Sequence, residues 1–81
     1  MIYKYNVGYI TVPSDSRFLF AKYQNDNLMV WVELGKLTPV VFEVNYTGTG
    51  WEEDTSDKQY LNSVENDGYI WHVFYKQLKK L

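Results

Sequence analysis

The run Asn66-Asp67-Gly68-Tyr69-Ile70-Trp71-His72-Val73-Phe74-Tyr75 decides how this chain is read. Tyr, Ile, Trp, Val and Phe suit a pleated, half-buried backbone, so Gly68 to Tyr75 reads as a strand. Asn66-Asp67-Gly68 supplies residues that tolerate the positive φ of a tight hairpin turn. Side chains alternate along a strand. Tyr69, Trp71, Val73 and Tyr75 therefore share one face, and Ile70, His72 and Phe74 the other. Both faces are apolar, which implies a strand covered on both sides or pressed against a partner. Tyr60 to Glu65 is its hairpin mate.

Working outward, the rest of the chain repeats this pattern. Leu28, Val30, Val32 and Leu34 form an inward stripe opposed by Met29, Trp31 and Glu33, the cleanest alternation in the sequence. Arg17 to Tyr23 precedes it across Gln24-Asn25-Asp26-Asn27, with Leu19, Ala21 and Tyr23 on one face and Phe18, Phe20 and Lys22 on the other. Ile2 to Val12 reads as one long strand bent or bulged at Gly8, with two short strands as the alternative. Pro13-Ser14-Asp15-Ser16 turns the chain. Gly35-Lys36 is a second turn, with a glycine available for positive φ. Thr38 to Tyr46 is a strand entered at Pro39, with Val40, Phe42, Val44 and Tyr46 on one face. Trp51 to Lys58 is the longest loop. One helical turn fits within Asp54 to Leu61, and the basic tail Lys76 to Leu81 either frays or adds another. The expected fold is all-β: one domain over 1–81, an antiparallel sandwich or partly closed barrel of about six strands.

Eighty-one residues lie at the small end of what folds alone, and no cysteine is present to staple them. That absence favours a reducing, intracellular setting and excludes thiolate metal sites and cysteine nucleophiles. Aromatic residues at 19% are the substitute for disulfides. A net charge of −2 offers no global attraction for nucleic acid. No apolar run is long enough to span a bilayer. Met1-Ile2-Tyr3-Lys4-Tyr5 lacks the regions of a signal peptide.

Candidate chemistry is sparse. His72 titrates near neutrality when unperturbed, but it stands between Ile70 and Phe74 with no assured carboxylate partner. A hydrogen-bonded core or interface role fits it better than that of a general base. Glu52, Glu53 and Asp54 open an acidic loop that could gather cation ligands, yet the loop lacks the glycine-pinned spacing of a calcium site. It reads as hydrated surface. Thr47-Gly48-Thr49-Gly50 has free amides but no following lysine and no helix, so it reads as a turn rather than a phosphate cradle. Trp51 is different, because a tryptophan between a glycine turn and an acidic loop is hard to bury fully and exposed aromatics often mark binding surfaces; cover for the core and a binding role stand about even for it. The expected binding residues are Gly48, Thr49, Trp51, Glu52, Glu53, Asp54 and His72. No catalytic set, metal or cofactor is expected.

Several stretches in series also resemble a known group. They are Ile2-Tyr3-Lys4-Tyr5, Pro13, Tyr23-Gln24, Val30-Trp31-Val32, Phe42 with Thr47-Gly48-Thr49-Gly50, Tyr60-Leu61-Asn62-Ser63-Val64, and Tyr69-Ile70-Trp71-His72-Val73-Phe74. The chain resembles a family of small uncharacterised proteins encoded mainly by bacteriophages. The resemblance implies origin and fold, and brings no activity. It sets the expectation of a non-enzymatic binding protein acting on a host factor in the host cytoplasm, as an inhibitor of host defence or by redirecting a host enzyme. The alternative is an oligomer that sequesters a small nucleotide-like ligand between subunits. Self-association is expected from the two apolar faces of the His72 strand. A membrane or nucleic-acid partner is not.

Overall fold

The computed structural model describes residues 1–78. Seven strands run in chain order: β1 (Ile2–Asn6), β2 (Gly8–Pro13), β3 (Arg17–Gln24), β4 (Asn27–Glu33), β5 (Pro39–Gly48), β6 (Gln59–Asn66) and β7 (Tyr69–Gln77). They build two antiparallel sheets, one of three strands in the order β1-β4-β3 and one of four in the order β2-β5-β7-β6. The result is a sandwich, not a closed barrel. No helix is present among the described residues, so none is long and apolar enough to cross a membrane. The turn expected within Asp54 to Leu61 is not helical. The tail expectation fails for Lys76 and Gln77, which extend β7; residues 79–81 lie outside the described ones.

The first segment is two strands rather than one, and they lie in different sheets. Tyr5 and Val7 pack on the core, and then Ile10 and Val12 do, so the inward parity switches from odd to even. The switch occurs at Gly8, whose φ of +128° is hard for any residue with a side chain. The Val7 amide still donates to the Leu28 carbonyl (3.2 Å), while Gly8 already pairs with Val44. One residue therefore carries the chain from sheet to sheet. This break makes the strand count seven instead of six.

A bulge at Leu19 corrects the reading of β3. The pairing with β4 shifts between Phe18 and Phe20, which turns Phe18 and Ala21 both inward and leaves Phe20 outside, stacked on Trp31 at 4.8 Å. β4 keeps its alternation, with Leu28, Val30 and Val32 buried. Both hairpin turns follow the local chemistry. Asn25-Asp26 and Asp67-Gly68 each have positive φ at both central residues, as a two-residue type I′ turn requires.

Gly35 does not take positive φ, contrary to expectation. Its lack of a side chain matters for another reason, since a Cβ there would lie 2.0 Å from Asp15 Oδ1. The Asp15 carboxylate accepts from the amides of Lys36 and Leu37 (2.9 Å each), and Ser16 Oγ accepts from that of Gly35 (3.1 Å). These bonds clip the β2–β3 turn to the β4–β5 connection.

The core is the interleaving of the two inner faces: Phe18, Ala21, Leu28, Val30 and Val32 against Ile10, Val12, Val40, Phe42, Val44 and Val73. Phe18 spans the gap, stacked on Tyr75 (4.3 Å) and tilted against Phe42 (5.0 Å). Along one margin the sheets are sewn together by a side chain. Asn62 Oδ1 accepts from the Ala21 amide (2.8 Å) and its Nδ2 donates to the Ala21 carbonyl (2.9 Å), as a paired peptide would. A second bulge, at Leu61, places Asn62 to do so.

Two measurements check this framework. Asn62→Ala strands the donor and the acceptor of Ala21 and is expected to cost about 1–3 kcal/mol in denaturant unfolding. The amides of Leu37 and Lys36 hold the Asp15 carboxyl below its ordinary 3.8. Its stabilisation is thus full above 3.8 and is lost as pH falls through the lower folded value. Asp15→Asn should melt earlier than wild type at neutral pH, with the gap closing as pH is taken below 3.8.

Candidate functional site

The inner face of the four-stranded sheet runs beyond the core. Along β5 the inward residues pass from buried Val40, Phe42 and Val44 to Tyr46, which is 44% exposed. Along β7 they pass from Val73, fully buried, to half-buried Trp71 and then to Tyr69, 65% exposed. The register sets Tyr46 opposite Val73 and Gly48 opposite Trp71, so these rings belong to one surface.

Trp51 joins that surface from the loop. Its amide donates to the Gly48 carbonyl (3.1 Å), closing a turn that swings the indole back over Gly48. A Cβ on residue 48 would lie 2.8 Å from Trp51 Cε2. Glycine is required here by the close approach of the ring. The indole of Trp51 meets Trp71 edge-on, with centroids 5.3 Å apart and planes at 82°. Tyr46 meets the same ring at 5.5 Å and 79°, and Tyr69 at 5.8 Å and 33°. Trp51 remains 61% exposed while held from two sides.

On the opposite face of the sheet, His72 is the middle of a hydrogen-bond belt. Its Nε2 bonds Thr49 Oγ1 (2.7 Å) and its Nδ1 bonds Ser63 Oγ (2.6 Å), which also bonds the Tyr60 hydroxyl (2.7 Å). A neutral imidazole has one donor and one acceptor, and the rotatable hydroxyls on either side match both. The belt ties β6, β7 and the end of β5 together. Among the described residues the ring's hydrogen-bond partners are hydroxyls on both sides, with no carboxylate. Thr47, opposite His72 on β5, is buried, and its hydroxyl has no partner among the described residues.

The acidic residues are spent largely within their own loop. Asp54 accepts from the Ser56 amide (3.0 Å) and hydroxyl (2.7 Å), which hold its carboxyl below the usual range. Glu53 faces Lys58 at 3.4 Å. Asp57 pairs with Lys76 at 3.0 Å, lowering the carboxyl and raising the amine. Thr49 on His72 and Asp57 on Lys76 fix the two ends of the loop on the outer face of β7. Glu52 is exposed beside Trp51. No group of three His, Asp or Glu side chains able to hold a metal occurs among the described residues.

The expected site residues thus fall into three groups. Gly48 and Trp51 form the aromatic surface, Thr49 and His72 the belt behind it, and Glu53 and Asp54 the loop's own bracing, with Glu52 at the rim. Sequence reasoning missed Tyr46, Tyr69 and Trp71 as neighbours of Trp51, because the β5–β7 register is long-range. It also missed Ser63, although a two-residue turn at Asp67-Gly68 places Ser63 opposite His72 by simple counting.

The family model described as Domain of unknown function (DUF7352) matches residues 1–80. The chain belongs to that family. No curated protein and no solved structure matches it. The matched span takes in all seven strands, so the ring surface and the His72 belt both lie inside the DUF7352 domain.

Gly48→Ala tests the seat of Trp51. The backbone of residue 48 accepts a side chain, but the indole must move away from Trp71. The near-ultraviolet circular dichroism from coupled indoles is expected to weaken while the far-ultraviolet strand signal persists. An unchanged near-ultraviolet spectrum would refute the seating.

Proposed function

We propose that this is a small phage-encoded binding protein that acts on a host factor in the host cytoplasm, as an inhibitor of host defence. It works by docking rather than by turnover. The observation that carries this reading is the geometry of Trp51, 61% exposed yet fixed by Gly48 beneath it and Trp71 beside it. A tryptophan held rigid before the partner arrives loses little side-chain entropy on binding. Such anchors dominate interface energetics. The bacteriophage resemblance supports the host setting.

A second reading has its own observation. Tyr46, Trp51, Tyr69 and Trp71 offer ring faces on which a nucleobase could stack, which suits an oligomer sequestering a nucleotide-like ligand.

The test compares wild type with Trp51→Ser as bait in host lysate, after matching their melting temperatures. Docking predicts a host protein retained by wild type and lost from Trp51→Ser, a reduction of tenfold or more for an anchor worth about 2 kcal/mol. Equal retention by both baits removes Trp51 from the interface. A nucleotide released on denaturing the purified protein, from a species larger than a monomer, replaces docking with sequestration.

A further inference from the structure

The charge of this chain is divided unevenly around the ring surface. Residues 49–70 hold six of its ten carboxylates, Glu52, Glu53, Asp54, Asp57, Glu65 and Asp67, and one of its eight cationic side chains, Lys58. The remainder of the chain is net positive. Two of the six neighbour the rings in the chain, Glu52 next to Trp51 and Asp67 two residues before Tyr69 in the hairpin turn. Neither is in an ion pair among the described residues. Glu53 and Asp57 are paired with Lys58 and Lys76, which leaves Glu52 and Asp67 as the carboxylates without an ion pair nearest the rings in the chain.

The rings leave aromatic surface open to a cation, with Trp51 at 61% and Tyr46 at 44% exposure. Trp51 and Tyr46 each meet Trp71 nearly perpendicular, at 82° and 79°, with centroids 5.3 and 5.5 Å away. The negative faces of such rings attract a guanidinium or ammonium, more strongly where carboxylates add to the field. Arginine gains further by lying flat on an indole.

From this placement we infer that the Tyr46–Trp51–Trp71 surface binds a basic segment of a protein partner, with an arginine side chain seated on the rings and Glu52 and Asp67 steering it. The inference rests on the docking reading above and names the chemistry of the partner. A polypeptide is favoured over a free small cation because the rings are open to solvent, Trp51 at 61% and Tyr69 at 65%. An open platform cannot enclose a small ligand, whereas a chain adds contacts on either side of the seated arginine. Nucleic acid is disfavoured because its phosphates would be repelled by the same carboxylates, Glu52 and Asp67, that attract a basic segment.

The experiment is a titration of the intact protein, followed by tryptophan fluorescence, with a short arginine-containing peptide and its citrulline counterpart. Citrulline keeps the shape and removes the charge. The arginine peptide is expected to bind about tenfold or more tightly than the citrulline one. Its affinity should fall by a similar factor in Trp51→Ala and in the paired substitution Glu52→Gln with Asp67→Asn, and should weaken as salt is raised. The paired variant touches no ion pair among the described residues, so it reports on charge even if Trp51→Ala alters folding. Equal binding of the two peptides overturns the inference, as does undiminished binding by the paired variant. Saturation by tetramethylammonium at the concentration that saturates the peptide also overturns it, in favour of a small cation. If host-protein capture depends on Trp51 while the arginine peptide does not bind, the basic partner is wrong and docking stands. If capture is also indifferent to Trp51, both fail.

Discussion

Everything in this fold depends on the contact between its two sheets. Phe18, turned inward by the bulge at Leu19, lies against Tyr75 and Phe42 of the other sheet. Around it, Val12, Val30, Val32, Val44 and Val73 are almost wholly removed from water. β-branched residues fill such a core because their stiff side chains pack from a pleated surface at small entropic cost. With no disulfide or helix among the described residues, this burial is the principal source of stability. The Asn62–Ala21 pairing and the Asp15 clip then fix how the layers and turns meet at the margins.

The extent of that core also creates the candidate site. The three-stranded sheet covers the inner face of the larger one only as far as Val44 and Val73. β5 and β7 continue past it, and their next inward residues are Tyr46, Gly48, Trp71 and Tyr69. In a larger domain these would be interior. Here they cover one another, with Trp51 brought in from the loop to complete the group. On the outer face the loop is held by Thr49 on His72 and by Asp57 on Lys76. Exposed ion pairs contribute little singly, so the turn that seats Trp51 on Gly48 is the firmer restraint. An exposed aromatic surface follows from a sandwich whose sheets differ in width.

Much of this was legible locally. The stripe Leu28, Val30, Val32 could only be a half-buried strand, and Asp67-Gly68 could only be a tight turn. Trp51 stood out because its neighbours on both sides favour solvent. Other features were hidden because the pattern of a strand changes silently at a bulge. At Leu19 and Leu61 one extra residue reverses the faces, and nothing in Phe18-Leu19-Phe20 or Tyr60-Leu61-Asn62 announces it. Gly8 was recognised as a break, but whether the chain bends within a sheet or leaves it depends on what lies beside it.

The sequence by itself determined the all-β class and the places of most strands and turns, and it singled out Trp51 and His72. These are properties of side-chain alternation, turn chemistry and composition, which act over a few residues. Only the tertiary structure decided that β1 and β2 lie in different sheets, that Asn62 joins the layers, and that Tyr46, Trp51, Tyr69 and Trp71 meet. Those depend on pairing between distant strands, where register is set by the packing of the whole core. Gly68 to Tyr75, from which the reading began, shows both. Its alternation was visible from the residues, but the rings beside Trp71 were not, because they come from β5 and from the loop that follows it.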